Sequence, residues 1–122
     1  MTQKELVIGG AQLGYKYGIN NKFDYNLKVV KKNLKYLKSK NIKCFDTSNL
    51  YKNSNKIIGN FNQDRGNKYY AKFCINEKKL LNAKNRSKYL NYFFNKIYKE
   101  LKTEKIYCLS FHRYNQINKF NK

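Results

Sequence analysis

Four side chains in this sequence are of types that can do chemistry together: Asp46, Tyr51, Lys72 and His112. A tyrosine phenol has a pKa of about 10, so it gives up its proton poorly at neutral pH unless the resulting anion is stabilised. A nearby ammonium supplies that stabilisation, and a carboxylate keeps the ammonium charged and aimed. An imidazole N–H alongside can orient a carbonyl oxygen. Such a set suits the addition of hydride to a carbonyl carbon with protonation of its oxygen. Each residue also has a plainer reading. Asp46 could be a helix cap or turn residue, Lys72 could run out to solvent along its own alkyl stem, and His112 could be a satisfied structural histidine. Tyr51 is one of 12 tyrosines. Only their joint placement lifts the four above background.

That placement depends on the elements around them. Leu6-Val7-Ile8-Gly9 is a short apolar run closed by glycine and predicts a buried strand. Asn26 is a candidate cap for a helix in which Leu27, Val30, Leu34 and Leu37 recur at spacings of three and four. Ile42–Asp46 (IKCFD) predicts a second strand ending on its acid. Ser54 is a candidate cap for a short helix carrying Ile57 and Ile58 and stopped by Gly59. Tyr69–Cys74 (YYAKFC) predicts a third strand, with Lys72 late in it. A long helix over Ser87–Lys102 follows, with Leu90, Phe93, Phe94, Ile97 and Leu101 along one stripe. Ile106–Phe111 (IYCLSF) predicts a fourth strand that delivers His112 at its end.

Connections this long exclude hairpins, so the strands are expected to be parallel, with right-handed crossovers and helices outside. The fold class is therefore α/β, over residues 1–122 as one domain. In parallel α/β folds the loops after the strands open at the carboxyl ends, and Asp46, Tyr51, Lys72 and His112 all fall there. The tail from Asn115 to Lys122 is expected to fray.

Composition narrows the function classes. With 122 residues there is chain for one modest core. No stretch approaches the roughly 20 apolar residues of a membrane span, and Met1–Leu6 lacks the apolar run of a signal peptide. A cytoplasmic protein with no membrane partner is the expectation. Its three cysteines, Cys44, Cys74 and Cys108, show no CxxC spacing and are expected to be reduced and buried. With one histidine and distant cysteines, no metal site is expected. The net charge of +20 comes from 27 Lys plus Arg against 7 Asp plus Glu. Such a field attracts polyanions non-specifically. Only Arg65, Arg86 and Arg113 are arginine, and the abundant Lys, Asn, Ile, Tyr and Phe share A/T-rich codons. Codon bias accounts for that pattern without a basic-partner function.

At this point the chain resembles an aldo-keto reductase. Cys44–Gly59, CFDTSNLYKNSNKIIG, is similar to the family's second-strand signature, in which Asp-Thr-Ala is followed by Tyr-Gly-x-Ser-Glu and Leu-Gly. Ile8–Gly18 (IGGAQLGYKYG) resembles the first-strand glycine turn, and Tyr70-Ala71-Lys72-Phe73 the strand that bears the family's lysine. Leu101–His112 (LKTEKIYCLSFH) resembles the segment that ends on its histidine. The resemblance implies a catalytic tetrad: Tyr51 as general acid, Lys72 lowering its pKa, Asp46 paired with the lysine, and His112 orienting a small-molecule carbonyl substrate. It implies NADPH as hydride donor, with Gly10, Ala11 and Asp46 lining the nicotinamide-ribose side. The sequence departs from the signature at three places: Lys52 stands at the usual glycine, Asn55 at the glutamate and Ser48 at the alanine.

The implied parent fold is a TIM (β/α)8 barrel, of which the predicted units make about half, since a whole barrel takes about 250 residues. The expectation is thus a truncated form with little activity alone, for most cofactor contacts in the family come from the other half. No G-x-G-x-x-G fingerprint substitutes for them. Four strands also leave sheet edges unpaired, so the chain is expected to self-associate, to pair with a missing C-terminal half, or to aggregate. The rival reading is a small basic module that binds nucleic acid or another polyanion, with Lys68-Tyr69-Tyr70 offering phosphate contact and stacking. Lysines on every segment, scarce arginine and no RNA-binding signature argue against it, leaving nucleic acid a non-specific partner only.

Overall fold

The computed structural model describes residues 5–19, 22, 24–61 and 66–116. Four parallel strands, β1 (Val7–Gly9), β2 (Cys44–Ser48), β3 (Lys68–Phe73) and β4 (Cys108–Phe111), alternate with helices. The helices are α1 (Ala11–Gly14), α2 (Leu27–Ser39), α3 (Ser54–Phe61), α4 (Glu77–Leu81) and α5 (Arg86–Leu101). The sheet runs in the sequential order β1-β2-β3-β4 with every pair parallel. A sequential parallel order is what half of a (β/α)8 barrel has, and the sheet is open at β1 and β4. The fold class is as the sequence indicates.

Alternation along the strands separates two faces. Phe45 and Thr47 on β2, and Tyr69, Ala71 and Phe73 on β3, are buried beneath the helices. There Phe45 stacks on Tyr69 at 6.4 Å between ring centroids, and Phe73 meets Phe94 and Phe111. Leu34, Ile58, Ile97 and Leu101 from α2, α3 and α5 close this core. The opposite, inner face carries Cys44, Asp46 and Ser48 paired in register with Lys68, Tyr70 and Lys72. It is polar and half open.

Asn26 caps α2 as expected, its side-chain oxygen accepting from the Lys28 and Val29 amides at 2.9 and 3.3 Å. Leu27, however, is exposed, and only Val30 and Leu34 of the periodic set are fully buried. Strand β2 sits two residues later than IKCFD. The Ile42 amide still bonds the Leu37 carbonyl at the end of α2. Thr47 and Ser48 extend the strand because their polar groups are satisfied inside: the Thr47 hydroxyl donates to Asn55 Oδ1 at 2.7 Å. Asp46 therefore lies in mid-strand rather than at its end.

Ser54 does not cap α3. It is the first helical residue, buried, and its hydroxyl donates to the Gly10 carbonyl at 2.6 Å. Nor does Gly59 stop that helix, which continues to Phe61. A Cβ on Gly59 would stand 2.2 Å from the Glu100 carbonyl oxygen, so the glycine lets α3 lie directly on α5. Helix α5 and strands β1, β3 and β4 fall within two residues of their expected spans, while α1 and α4 are short additions.

Cys44 is buried and Cys74 half-buried, but Cys108 is exposed on the open strand β4, against the expectation for all three; each is a free thiol. The C-terminal segment is not frayed from Asn115: Tyr114–Gln116 forms one 3-10 turn and Gln116 is buried. Residues 117–122 lie outside the described residues. Among the described residues, no helix is long and apolar enough to cross a membrane, and no group of three or more His, Cys, Asp and Glu is placed to hold a metal.

Candidate active site

Strand register brings the first pair together. Asp46 on β2 lies beside Tyr70, and Ser48 beside Lys72, so Asp46 and Lys72 share the inner face one step apart on neighbouring strands. The Lys72 ammonium donates to Asp46 Oδ1 in a short ion pair whose members keep 26% and 36% of their side-chain surface. Partial burial strengthens such a pair relative to one in open water.

Tyr51 reaches the pair from the loop after β2. Its amide bonds the Ser48 carbonyl at 3.1 Å, and its own carbonyl receives the Ser54 amide at 2.9 Å, which fixes a tight turn between strand and helix. The phenol ring is buried, and its centroid lies 5.5 Å from Lys72 Nζ. From the other side the His112 imidazole meets it edge to face, 5.7 Å between centroids. His112 follows β4 and its amide bonds the Phe73 carbonyl at 2.8 Å, so it stands beside the strand that carries Lys72. The fold thus gathers Asp46, Tyr51, Lys72 and His112 on one rim.

The electrostatics are mutual. Burial alone would pull the Lys72 pKa down, but the Asp46 carboxylate and the Tyr51 hydroxyl outweigh it and raise the pKa from its ordinary value. His112 moves the other way. Burial first, then the positive charges of Lys72 and Arg113, push its pKa below the ordinary imidazole value, with Asp46 opposing. A neutral imidazole is therefore the favoured form at neutral pH, with one N–H to donate. Its Nδ1 is buried without a hydrogen-bond partner among the described residues.

Gly10 and Ala11 sit at the head of α1. Both backbone polar groups of Gly10 are spent within the protein, the amide on the Asp46 carbonyl at 2.7 Å and the carbonyl on Ser54. Its neighbour Gly9 is the residue that pairs with Asp46 on the inner face, and a Cβ there would meet nothing within 4 Å. Open space therefore stands beside Asp46. A cleft of about 920 Å³ opens between β1, residues 15–18 and α2; Gly9 lines it, and none of the four residues does.

Some contributors escape a reading of the sequence. Tyr17 packs against Tyr51 at 6.1 Å, and Tyr15 packs on Tyr17. Gly14 lets α1 approach: a Cβ there would fall 2.2 Å from the Tyr51 carbonyl oxygen. Lys52 adopts φ +46°, the left-handed region that glycine enters without the steric cost of a Cβ. Asn55, where the signature has glutamate, is buried, bound to Thr47 and donating to Glu100 Oε2 at 3.3 Å. Asn49 and Gln116 bind neighbouring loops through their side-chain amides. Lys52 and Asn55 stand out in the sequence only as departures from the signature, and Asn49 as an asparagine directly after a strand.

With this geometry in place, comparison with known proteins shows that the model of the Aldo/keto reductase family matches residues 5–121. No curated protein and no solved structure matches.

Proposed function

The chain belongs to the Aldo/keto reductase family, and from that premise we propose that its four βα units carry the proton-donating side of an NADPH-dependent carbonyl reduction. The single observation that carries the proposal is the ammonium of Lys72, held by Asp46 and seated 5.5 Å from the buried Tyr51 ring.

Tyr51 is the general acid and delivers its phenolic proton to the carbonyl oxygen of a small aldehyde or ketone. As negative charge grows on the phenol oxygen, Lys72 stabilises it electrostatically, in a partly buried setting where that attraction is stronger than in water. Asp46 aims the ammonium and keeps it protonated. His112, neutral at working pH, donates its N–H to the carbonyl oxygen and orients it toward Tyr51. When bound, NADPH supplies the hydride that adds to the carbonyl carbon. Its nicotinamide-ribose end would be held beside Asp46, where a Cβ on Gly9 would meet nothing within 4 Å, next to Gly10 and Ala11 in the chain. Four units furnish only part of a cofactor cradle, so we propose that the 122-residue chain alone turns over slowly.

The test is consumption of NADPH, followed by absorbance, with a panel of aldehydes and the purified chain. A small rate is expected, falling roughly 100-fold or more in Tyr51→Phe. A rate unchanged by that substitution refutes the acid role, and brisk turnover by the unmodified chain refutes the claim of weak activity.

A further inference from the structure

Tyr51 and His112 lie on the loops after β2 and β4, and Lys72 lies near the end of β3, just before its own loop; loops leaving different strands drift unless something ties them. Two side-chain amides do so here. Asn49, between Ser48 and Tyr51, grips the chain just beyond β3 at two points: its Nδ2 donates to the Cys74 carbonyl at 2.9 Å, and its Oδ1 accepts from the Cys74 amide at 2.9 Å. Its own backbone amide bonds the Lys72 carbonyl at 3.3 Å. One residue further along, the Ile75 carbonyl accepts from Gln116 Nε2 at 2.9 Å. Gln116 ends the 3-10 turn that follows His112, and it is 3% exposed. The loops after β2, β3 and β4 are thereby joined in series through Cys74 and Ile75.

We propose that Asn49 and Gln116 are positioning residues, whose amides lash these three loops into one unit and so hold Tyr51, Lys72 and His112 at their working separations. The proposal rests on the reading that those three residues do the chemistry, but the clamp itself is a matter of geometry. A hydrogen bond made by a buried amide contributes only modestly to global stability. Its local effect is larger: without Gln116 Nε2, the turn after β4 keeps the tie at the His112 amide near its start but loses the one at its end, and the imidazole gains freedom to swing away from Tyr51.

His112 is the one histidine in the sequence, which makes its ring a clean reporter. The groups that face it are Tyr51 and Lys72 from the loop after β2 and from β3, Asp46 from β2, and Arg113 beside it. In the full chain, isotope-labelled, the imidazole is titrated by NMR and its cross-relaxation with the Tyr51 ring is measured. The variants are Gln116→Met and Asn49→Leu, similar in shape to the originals and uncharged, so neither moves the imidazole by adding charge. Both are expected to raise the His112 midpoint toward the ordinary imidazole value and to weaken or erase the Tyr51–His112 cross-peak, while circular dichroism stays that of a folded chain. If one variant does not fold, the other decides. A folded variant with midpoint and cross-peak unchanged overturns the proposal. The readout needs no turnover: an inactive parent chain with a clamp-dependent imidazole sinks the functional reading alone, whereas an active one with an indifferent imidazole sinks the clamp.

Discussion

Lys52 offers a direct test of how the loop beside Tyr51 is built. Its φ of +46° costs a residue with a Cβ about 1–2 kcal/mol, because the side chain crowds the following carbonyl. Replacing it by glycine removes that cost but adds about 0.5–1 kcal/mol of backbone entropy to the unfolded chain. It also forfeits the Lys52 ammonium over the Tyr15 ring at 5.2 Å, which contributes about 0.5 kcal/mol on an exposed surface. Lys52→Ala is the control, since it loses the same ring contact and keeps the strain. The glycine variant should therefore be the more stable of the two by a little under about 1 kcal/mol. For a chain of 122 residues that difference corresponds to about 3 °C in Tm. Thermal unfolding followed by circular dichroism, with the two variants and the parent side by side, measures it. An alanine variant as stable as the glycine one would mean that the strain is not there, and the account of this loop would fail.

Two further outcomes follow from the packing and the charges. Gly59→Ala should destabilise the chain by about 1–3 kcal/mol in urea unfolding despite alanine's better helix propensity, because its methyl would meet the Glu100 carbonyl at 2.2 Å and push α3 off α5. A neutral or stabilising result would contradict that close approach. The second concerns acid. The folded His112 pKa is depressed, so on acidification the unfolded chain takes up its proton first. The contribution of this group is complete above the ordinary value of about 6.5 and is lost as pH falls through the folded one. Urea midpoints should thus drop between about pH 7.5 and 5.5 more in the parent than in His112→Gln, and parallel curves would refute the assignment.

The alternation of four strands with amphipathic helices is legible in the residues because hydrophobic period is a local property. Ile97 and Leu101 on α5, or Phe45 on β2, declare their burial through neighbours three, four or two positions away. The Asn26 cap is equally local. What the residues alone misplace is whatever depends on a distant partner. Thr47 and Ser48 look like loop residues until Asn55 is seen to satisfy Thr47 inside the sheet. Gly59 looks like a helix stop until α5 lies on it, and Leu27 looks like core until α2 is docked with that position facing water.

The candidate site divides in the same way. Residue type and order along the chain were enough to single out a carboxylate, a phenol, an ammonium and an imidazole, since chemistry belongs to the side chain itself. Their meeting belongs to the tertiary structure alone. The register of β2 on β3 sets Asp46 within reach of Lys72, and the turn through Ser48 and Ser54 swings Tyr51 over the pair. The ladder bond from His112 to Phe73 then brings the imidazole to the ring's edge. These are contacts between residues up to 61 positions apart, Tyr51 and His112 at the extremes. No periodicity along the chain encodes such a distance, because it is the packing of one strand beside another that creates it.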